Sequence, residues 1–208
     1  MERYLSFSVA SPYEYEHQME VIAPKWSYRG TFSEKMKTAV KLLEHTEGRA
    51  LILFPSKDEL VRFKREVAYY PECAAMRFWF EGDQEISHLI SSFQQDELSV
   101  LCAVSLWEGL DVPGPSLSNV IVWSLPWPPQ DPVFMAKRQS AASPYEEVDL
   151  PYMLLRLKQG IGRLIRSRDD RGLVAILSEE LHESPELRAK VMGLLPEAVR
   201  LKESLEMV

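Results

Sequence analysis

The segment from Gln159 to Arg166 combines two arginines, a glutamine and two glycines. On a helix, which turns about 100° per residue, Gln159, Arg163 and Arg166 fall on one face. Two neighbouring guanidinium groups suit an anion with several oxygens, above all the phosphates of a nucleotide. Gly160 and Gly162 would each destabilise a helix interior by about 1 kcal/mol relative to alanine. Their presence indicates that another group approaches the helix backbone closely. The alternative is a solvated arginine face on an ordinary helix.

The other face of this segment is apolar and predicts the buried side of one long helix. The helix should begin near Asp149, with Asp149 as N-cap and Pro151 in its first turn. The apolar stripe consists of Leu150, Leu154, Leu157, Ile161, Leu164 and Ile165.

A second polar segment, residues 55–57, follows the compact apolar run Arg49–Phe54. Ser56 with Glu59 three residues later forms a capping-box pattern, which by itself explains the serine. A helix N-terminus that carries Ser56 and Lys57 can also hold a nucleic-acid phosphate. The sequence leaves both interpretations open.

A third segment, residues 105–114, gathers two acids, a tryptophan and glycines after the apolar run Ser99–Val104. Glu108 and Asp111 could orient the arginines or a nucleotide hydroxyl through charge-assisted hydrogen bonds. Trp107 either fills the core, as large aromatic side chains usually do, or offers a ring on which a nucleic-acid base stacks.

Apolar runs that alternate with helical patterns position these segments and predict an α/β fold, a parallel sheet with helices on both faces. One domain spans residues 1–208, with 1–32 as an N-terminal entry arm. The predicted strands are Arg49–Phe54, Ala74–Phe80, Ser99–Val104, Asn119–Leu125 and Gly172–Leu177. The predicted helices are Lys57–Tyr69, Gln84–Gln94, one from near Pro132, the long helix from Asp149, and Pro185–Leu195.

The net charge of −7 does not favour a general nucleic-acid binder. One local patch is basic, and it holds six basic residues against two acidic ones, a net +4. We therefore expect the isolated domain to bind DNA weakly. The basic residues are Arg156, Lys158, Arg163, Arg166, Arg168 and Arg171, and the acids are Asp169 and Asp170.

Two cysteines, Cys73 and Cys102, lie far apart and outside any Cys-x-x-Cys pair. They predict a reducing cytoplasm, two small buried side chains and no metal site in this chain. The sequence has no apolar run that could span a bilayer and no secretory signal. We expect a cytoplasmic protein without membrane contact whose isolated domain is a monomer.

In order along the chain, these segments resemble the motifs of DinG/XPD-type superfamily 2 DNA helicases. Residues 157–167, followed by Asp170-Arg171-Gly172, are similar to motif VI, and Trp107-Glu108-Gly109-Leu110-Asp111 is similar to motif V. The proline-rich connector 125–132 is similar to the one between those motifs. The chain departs from relatives after its last predicted strand, where Ser178-Glu179-Glu180 stands in place of Asp-Pro-Arg.

The resemblance implies a RecA-like helicase motor domain 2, part of an ATP hydrolase that acts in DNA repair. It implies that Arg163 and Arg166 are arginine fingers and that Gln159 senses the γ-phosphate. The segment around motif V would couple DNA to nucleotide, and movement along single-stranded DNA would run 5′ to 3′. The implied nucleotide contacts are Gln159, Gly160, Gly162, Glu108, Gly109 and Asp111, and the implied DNA contacts are Ser56, Lys57, Ser105 and Trp107.

The chain contains no Gly-x-x-x-x-Gly-Lys-Ser/Thr loop and no Asp-Glu-Ala-His segment. ATP and Mg²⁺ would therefore be held mainly by the first RecA-like motor domain of the same polypeptide, and this chain alone should be inactive. The four cysteines that hold an iron–sulfur cluster in many relatives are also absent from this sequence. The alternative function is a stand-alone binding or regulatory module that keeps the half-fold without turnover. The Trp-Glu-Gly-Leu-Asp and Gly-Arg-Leu-Ile-Arg forms disfavour an RNA-unwinding relative.

Overall fold

Seven parallel strands form one sheet within the part of the chain that the computed structural model describes. The described residues are 18–26, 31–107, 117–164, 170–196 and 199–203. The spatial order is β3-β4-β2-β5-β6-β1-β7. The strands are β1 (Met19–Ile22), β2 (Ala50–Leu53), β3 (Arg77–Phe80), β4 (Ser99–Ala103), β5 (Asn119–Val122), β6 (Gly172–Ile176) and β7 (Leu201–Lys202).

Helices cover both faces of this sheet. Side chains alternate along each strand, so that Leu51 and Leu53 of β2 pack on one face while Ile52 packs on the other. One face is covered by α1 and α2, and the other by α3, α5, α6 and α7. The helices are α1 (Phe32–His45), α2 (Lys57–Val67), α3 (Ile86–Gln95), α4 (Pro132–Ser140), α5 (Leu150–Ile161), α6 (Glu180–Glu183) and α7 (Pro185–Met192).

The predicted α/β class and RecA-like architecture are confirmed. The segment predicted as an N-terminal entry arm, however, contains a strand of the sheet. Residues 19–22 form β1, which pairs in parallel with both β6 and β7. The predicted elements also lacked α1, although Thr31 and Glu34 form a complete capping box at its start.

The predicted N-cap at Asp149 is wrong. A π-helical turn, Tyr145–Asp149, runs directly into α5, and the Asp149 side chain caps no backbone N–H. Its carboxylate instead accepts a hydrogen bond from Arg138 Nε at 2.8 Å. Pro151 lies in the first turn of α5, as predicted.

Both cysteines are buried free thiols, which confirms their predicted place in the core. Burial raises the pKa of Cys73 to about 11 and that of Cys102 well above its ordinary value. None of the described helices is both long and apolar enough to cross a membrane.

Candidate functional site

The candidate site gathers at the carboxyl ends of β2, β4 and β5, because parallel strands all end at the same edge of a sheet. Ser56 follows β2 and is the N-cap of α2, where its Oγ accepts a hydrogen bond from Glu59 N at 3.3 Å. The predicted cap is thus confirmed. Ser56 is half-buried, whereas Lys57 is exposed to solvent at the same helix N-terminus.

Glu81 fixes the start of the loop after β4. Its Oε2 accepts hydrogen bonds from Val104 N at 2.6 Å and from Ser105 N at 2.9 Å. A carboxylate that accepts two successive backbone N–H groups holds the peptide planes in one orientation. Glu81 could not be identified from the sequence, because nothing within three or four residues of it signals a contact with residues 23 and 24 positions later.

Trp107 belongs to the core. Its side chain is 1% exposed, and it packs among apolar residues on the α5 face of the sheet. The guanidinium carbon of Arg156 lies 5.2 Å from the Trp107 ring centroid, a cation–π distance. Core packing is therefore confirmed. The stacking alternative is wrong, because a nucleic-acid base cannot reach a ring that is almost fully buried.

The close approach predicted by the glycines occurs at Gly160. A Cβ at Gly160 would lie 3.0 Å from Leu53 Cδ1 and 3.0 Å from Trp107 Cε3. Gly160 is buried in α5, so its lack of a side chain admits the tryptophan ring to the helix rather than opening the backbone to a nucleotide. Gly162, in contrast, is exposed at the end of α5.

Gly160→Ala should lower the free energy of unfolding by about 1–3 kcal/mol, because the added methyl group overpacks a buried ring. Gly162→Ala is the matched control: its φ of −64° suits alanine, its Cβ would lie nearest to the Lys158 carbonyl oxygen, at 3.2 Å, and we expect a change of about 0.5 kcal/mol or less. Urea unfolding of both variants measures the difference. An equal loss of stability in the two variants would contradict this role for Gly160.

Arg163 lies beyond the last turn of α5, so the predicted helix through Arg166 is too long. The helix ends at Ile161, and Arg163 N and Leu164 N donate to carbonyls three residues back. This tighter turn lets Leu164 pack against Gly172 at the start of β6, where a Cβ would lie 2.7 Å from Leu164 Cδ1. The buried stripe Leu150, Leu157, Ile161 and Leu164 is confirmed; Leu154 is partly buried, Met153 joins the stripe, and Ile165 lies outside the described residues.

The Arg163 guanidinium ties the end of α5 to the loop after β4. Its Nε and Nη2 both donate to the carbonyl oxygen of Trp107, at 3.2 and 3.1 Å. Half-buried Gln159 precedes it by four residues on the last turn of α5. Two segments that are 56 residues apart in the sequence are thus held together by one side chain. Arg166, Glu108, Gly109 and Asp111 lie outside the described residues.

The predicted basic patch is not one continuous free surface. Arg156 is half-buried, donates to Tyr152 Oη at 2.6 Å and covers the Trp107 ring. Lys158 is exposed on α5, whereas Arg171 lies at the amino end of β6. Arg166 and Arg168 lie outside the described residues.

The proline-rich connector is fixed at both ends. Trp127 Nε1 donates to Glu180 Oε2 at 2.8 Å, which gives a structural role to the acid that stands where relatives often carry an arginine. Asp131 Oδ1 caps α4 by accepting from Phe134 N at 2.9 Å.

Lys35 supplies a half-buried positive charge at the end of β5. Its Nζ donates to Trp123 O at 2.9 Å and to Ser124 Oγ at 2.8 Å. Burial lowers the pKa of Lys35, and the carboxylates of Glu59 and Glu180 oppose that shift. In the described part of the chain, no group of three or more His, Cys, Asp or Glu residues could hold a metal ion.

Comparison with known proteins gives consistent similarities across most of the chain. The sequence model of a helicase C-terminal domain family matches residues 39–198. The chain is 51% identical over 176 residues to a probable ATP-dependent helicase, YpvA of Bacillus subtilis, with 83% of this chain and 27% of that protein covered. It is 30% identical over 214 residues to the ATP-dependent DNA helicase YoaA of Escherichia coli, with 98% of this chain and 33% of that protein covered.

The fold is similar to that of solved XPD helicase structures. One of them superposes with a TM-score of 0.67 at 19% identity, covering 88% of this chain and 35% of the XPD chain. The chain thus spans about a third or less of the length of these relatives.

Proposed function

Because this chain belongs to the helicase C-terminal domain family, with DinG, YpvA and YoaA helicases as relatives, we propose that it is the second motor domain of an ATP-dependent DNA helicase. In this proposal the first RecA-like motor domain holds ATP and Mg²⁺. The second domain closes on that nucleotide and supplies Arg163 and Arg166 as arginine fingers.

The contact between Arg163 and the Trp107 carbonyl carries this proposal. Trp107 O would position the Arg163 guanidinium, whose planar set of N–H donors suits the oxygens of a phosphate. Charge that develops on the γ-phosphate would be stabilised by donors that are already in place. In this proposal the Trp107 carbonyl helps to orient Arg163, a role for which the sequence analysis also named Glu108 and Asp111.

The same contact gives a physical route from DNA to nucleotide. Ser105 lies two residues before Trp107, and its N–H is held by Glu81. A strand phosphate bound near Ser56, Lys57 and Ser105 would act on the loop whose Trp107 carbonyl accepts hydrogen bonds from Arg163. Gln159 and Gly162 would face the nucleotide, together with Glu108, Gly109 and Asp111, while Gly160 serves core packing. Movement along single-stranded DNA would run 5′ to 3′.

A chimera tests this proposal directly. The matching C-terminal segment of Bacillus subtilis YpvA is replaced by this chain, since 51% identity favours a compatible interface. We expect ATP hydrolysis that single-stranded DNA stimulates in the chimera, and none by the chain alone. Turnover by the chain alone would reveal a nucleotide site of its own. A folded chimera that binds DNA without turnover would instead support a binding module.

A further inference from the structure

A groove of about 610 Å³ opens at the amino ends of β1, β2, β5 and β6. We call it the amino-edge groove. Because the strands are parallel, this edge is the one opposite to the carboxyl ends that carry the candidate site. Its volume is within the range of pockets that hold small ligands. Nothing in the proposed motor function uses it.

The amino-edge groove is positively charged within an acidic protein. Among the described residues, Arg49, Arg171, Arg200 and Lys202 line it, against the two acids Glu20 and Glu47. Lys202 Nζ pairs with Glu20 Oε1 at 2.9 Å, and Arg49 pairs with Glu47. Within the described ranges, Arg171 and Arg200 form no ion pair, and both are exposed. The groove therefore offers two uncompensated guanidinium groups beside a chain whose net charge is −7.

Arg49 is held at this groove by a strained turn. Glu47, Gly48 and Arg49 have φ angles of 53°, 83° and 43°, all in the left-handed region. A Cβ at Gly48 would lie 2.5 Å from Leu98 O, so glycine is required there. Arg49 Nε is buried and has no hydrogen-bond partner among the described residues. A buried donor without an acceptor costs free energy, and an anion in the groove would remove that cost.

We propose that the amino-edge groove binds a phosphate group, carried either by a free polyphosphate such as a nucleotide or by a nucleic-acid strand. A guanidinium group matches the geometry of phosphate oxygens and can bind two of them through parallel N–H···O hydrogen bonds. Three arginines around one cavity need more acceptor oxygens than a single carboxylate offers, so the site favours phosphate. This inference does not depend on the motor function, because it uses neither Arg163 nor the loop after β4.

Calorimetric titration of the chain with tripolyphosphate at low salt tests the site. Arg171→Gln/Arg200→Gln should weaken binding about tenfold or more, because it removes the two uncompensated cations. The matched control, Lys41→Gln/Arg65→Gln, removes the same charge from exposed positions on α1 and α2 and should change the affinity little. Equal weakening in both variants, or no binding by the unmodified chain, would overturn the proposal.

A second titration identifies the source of the phosphate. A 12-residue oligothymidylate replaces tripolyphosphate, with the same two variants. Binding that depends on Arg171 and Arg200 would assign the groove to a nucleic-acid strand. Binding of tripolyphosphate with this dependence, but not of the oligonucleotide, would assign it to a free polyphosphate.

Discussion

ATP turnover by the YpvA chimera should fall by about 10³–10⁵-fold when Arg163 is replaced by alanine, while its affinity for single-stranded DNA stays nearly unchanged. The guanidinium would stabilise charge on the γ-phosphate in the transition state. No other described side chain donates a hydrogen bond to Trp107 O. Steady-state hydrolysis and fluorescence anisotropy with labelled DNA measure the two effects. Arg163→Lys should restore little, since lysine cannot bond the carbonyl and a phosphate in the same planar arrangement.

Arg65→Ala provides the control for this experiment. Arg65 is exposed on α2, so its loss changes the net charge equally without touching the site. Normal hydrolysis by the Arg163→Ala chimera would refute the arginine-finger role, whatever the effect on DNA binding.

Trp123→Ala should lower the free energy of unfolding by about 3–5 kcal/mol, a large part of the stability of an ordinary domain. Trp123 is 0% exposed, and its ring centroid lies 5.2–5.4 Å from those of Phe32, Phe54 and Phe63. Removal of the indole would leave a cavity between α1, α2 and β5. Trp123→Phe should cost less, because it keeps a ring and removes a buried indole N–H that has no hydrogen-bond partner among the described residues.

Tyr69→Ala is the matched aromatic control for this measurement. Tyr69 is 82% exposed, so its removal should change stability by about 0.5 kcal/mol or less. Guanidinium unfolding monitored by far-ultraviolet circular dichroism compares the variants. A Trp123→Ala variant as stable as Tyr69→Ala would show that the aromatic cluster contributes far less than its burial indicates.

Most of the sheet could be predicted from the sequence, because strands buried on both faces are continuous apolar runs. Leu51 to Phe54 and Val120 to Trp123 show this pattern, and each overlaps a strand at the predicted place. The strand β1 escaped prediction because Met19–Ile22 is short, contains Glu20 and follows a polar segment. The helix α1 could have been found, since Thr31 and Glu34 form a capping box that the sequence displays.

The geometry of the site could be predicted less well from the sequence than the sheet. The sequence pointed to Arg163 and Trp107 but not to the carbonyl contact between them, because a backbone oxygen carries no signature in the sequence. Glu81 and Glu180 reach their partners across 23 and 53 residues, so only the folded sheet brings them together. The end of α5 at Ile161 depends on the packing of Leu164 over Gly172, a tertiary contact that local helix propensity cannot predict.

The position of β1 between β6 and β7 has a consequence for the synthesis of the protein. Met19 pairs with Gly172, about 150 residues later in the chain, and Val21 pairs with Leu201. At about 5–20 residues per second, a ribosome needs roughly 8–30 s to make the chain between β1 and its first partner. During that time the apolar side chains of β1 lack their final neighbours, so this strand can pair only after β6 has been synthesised.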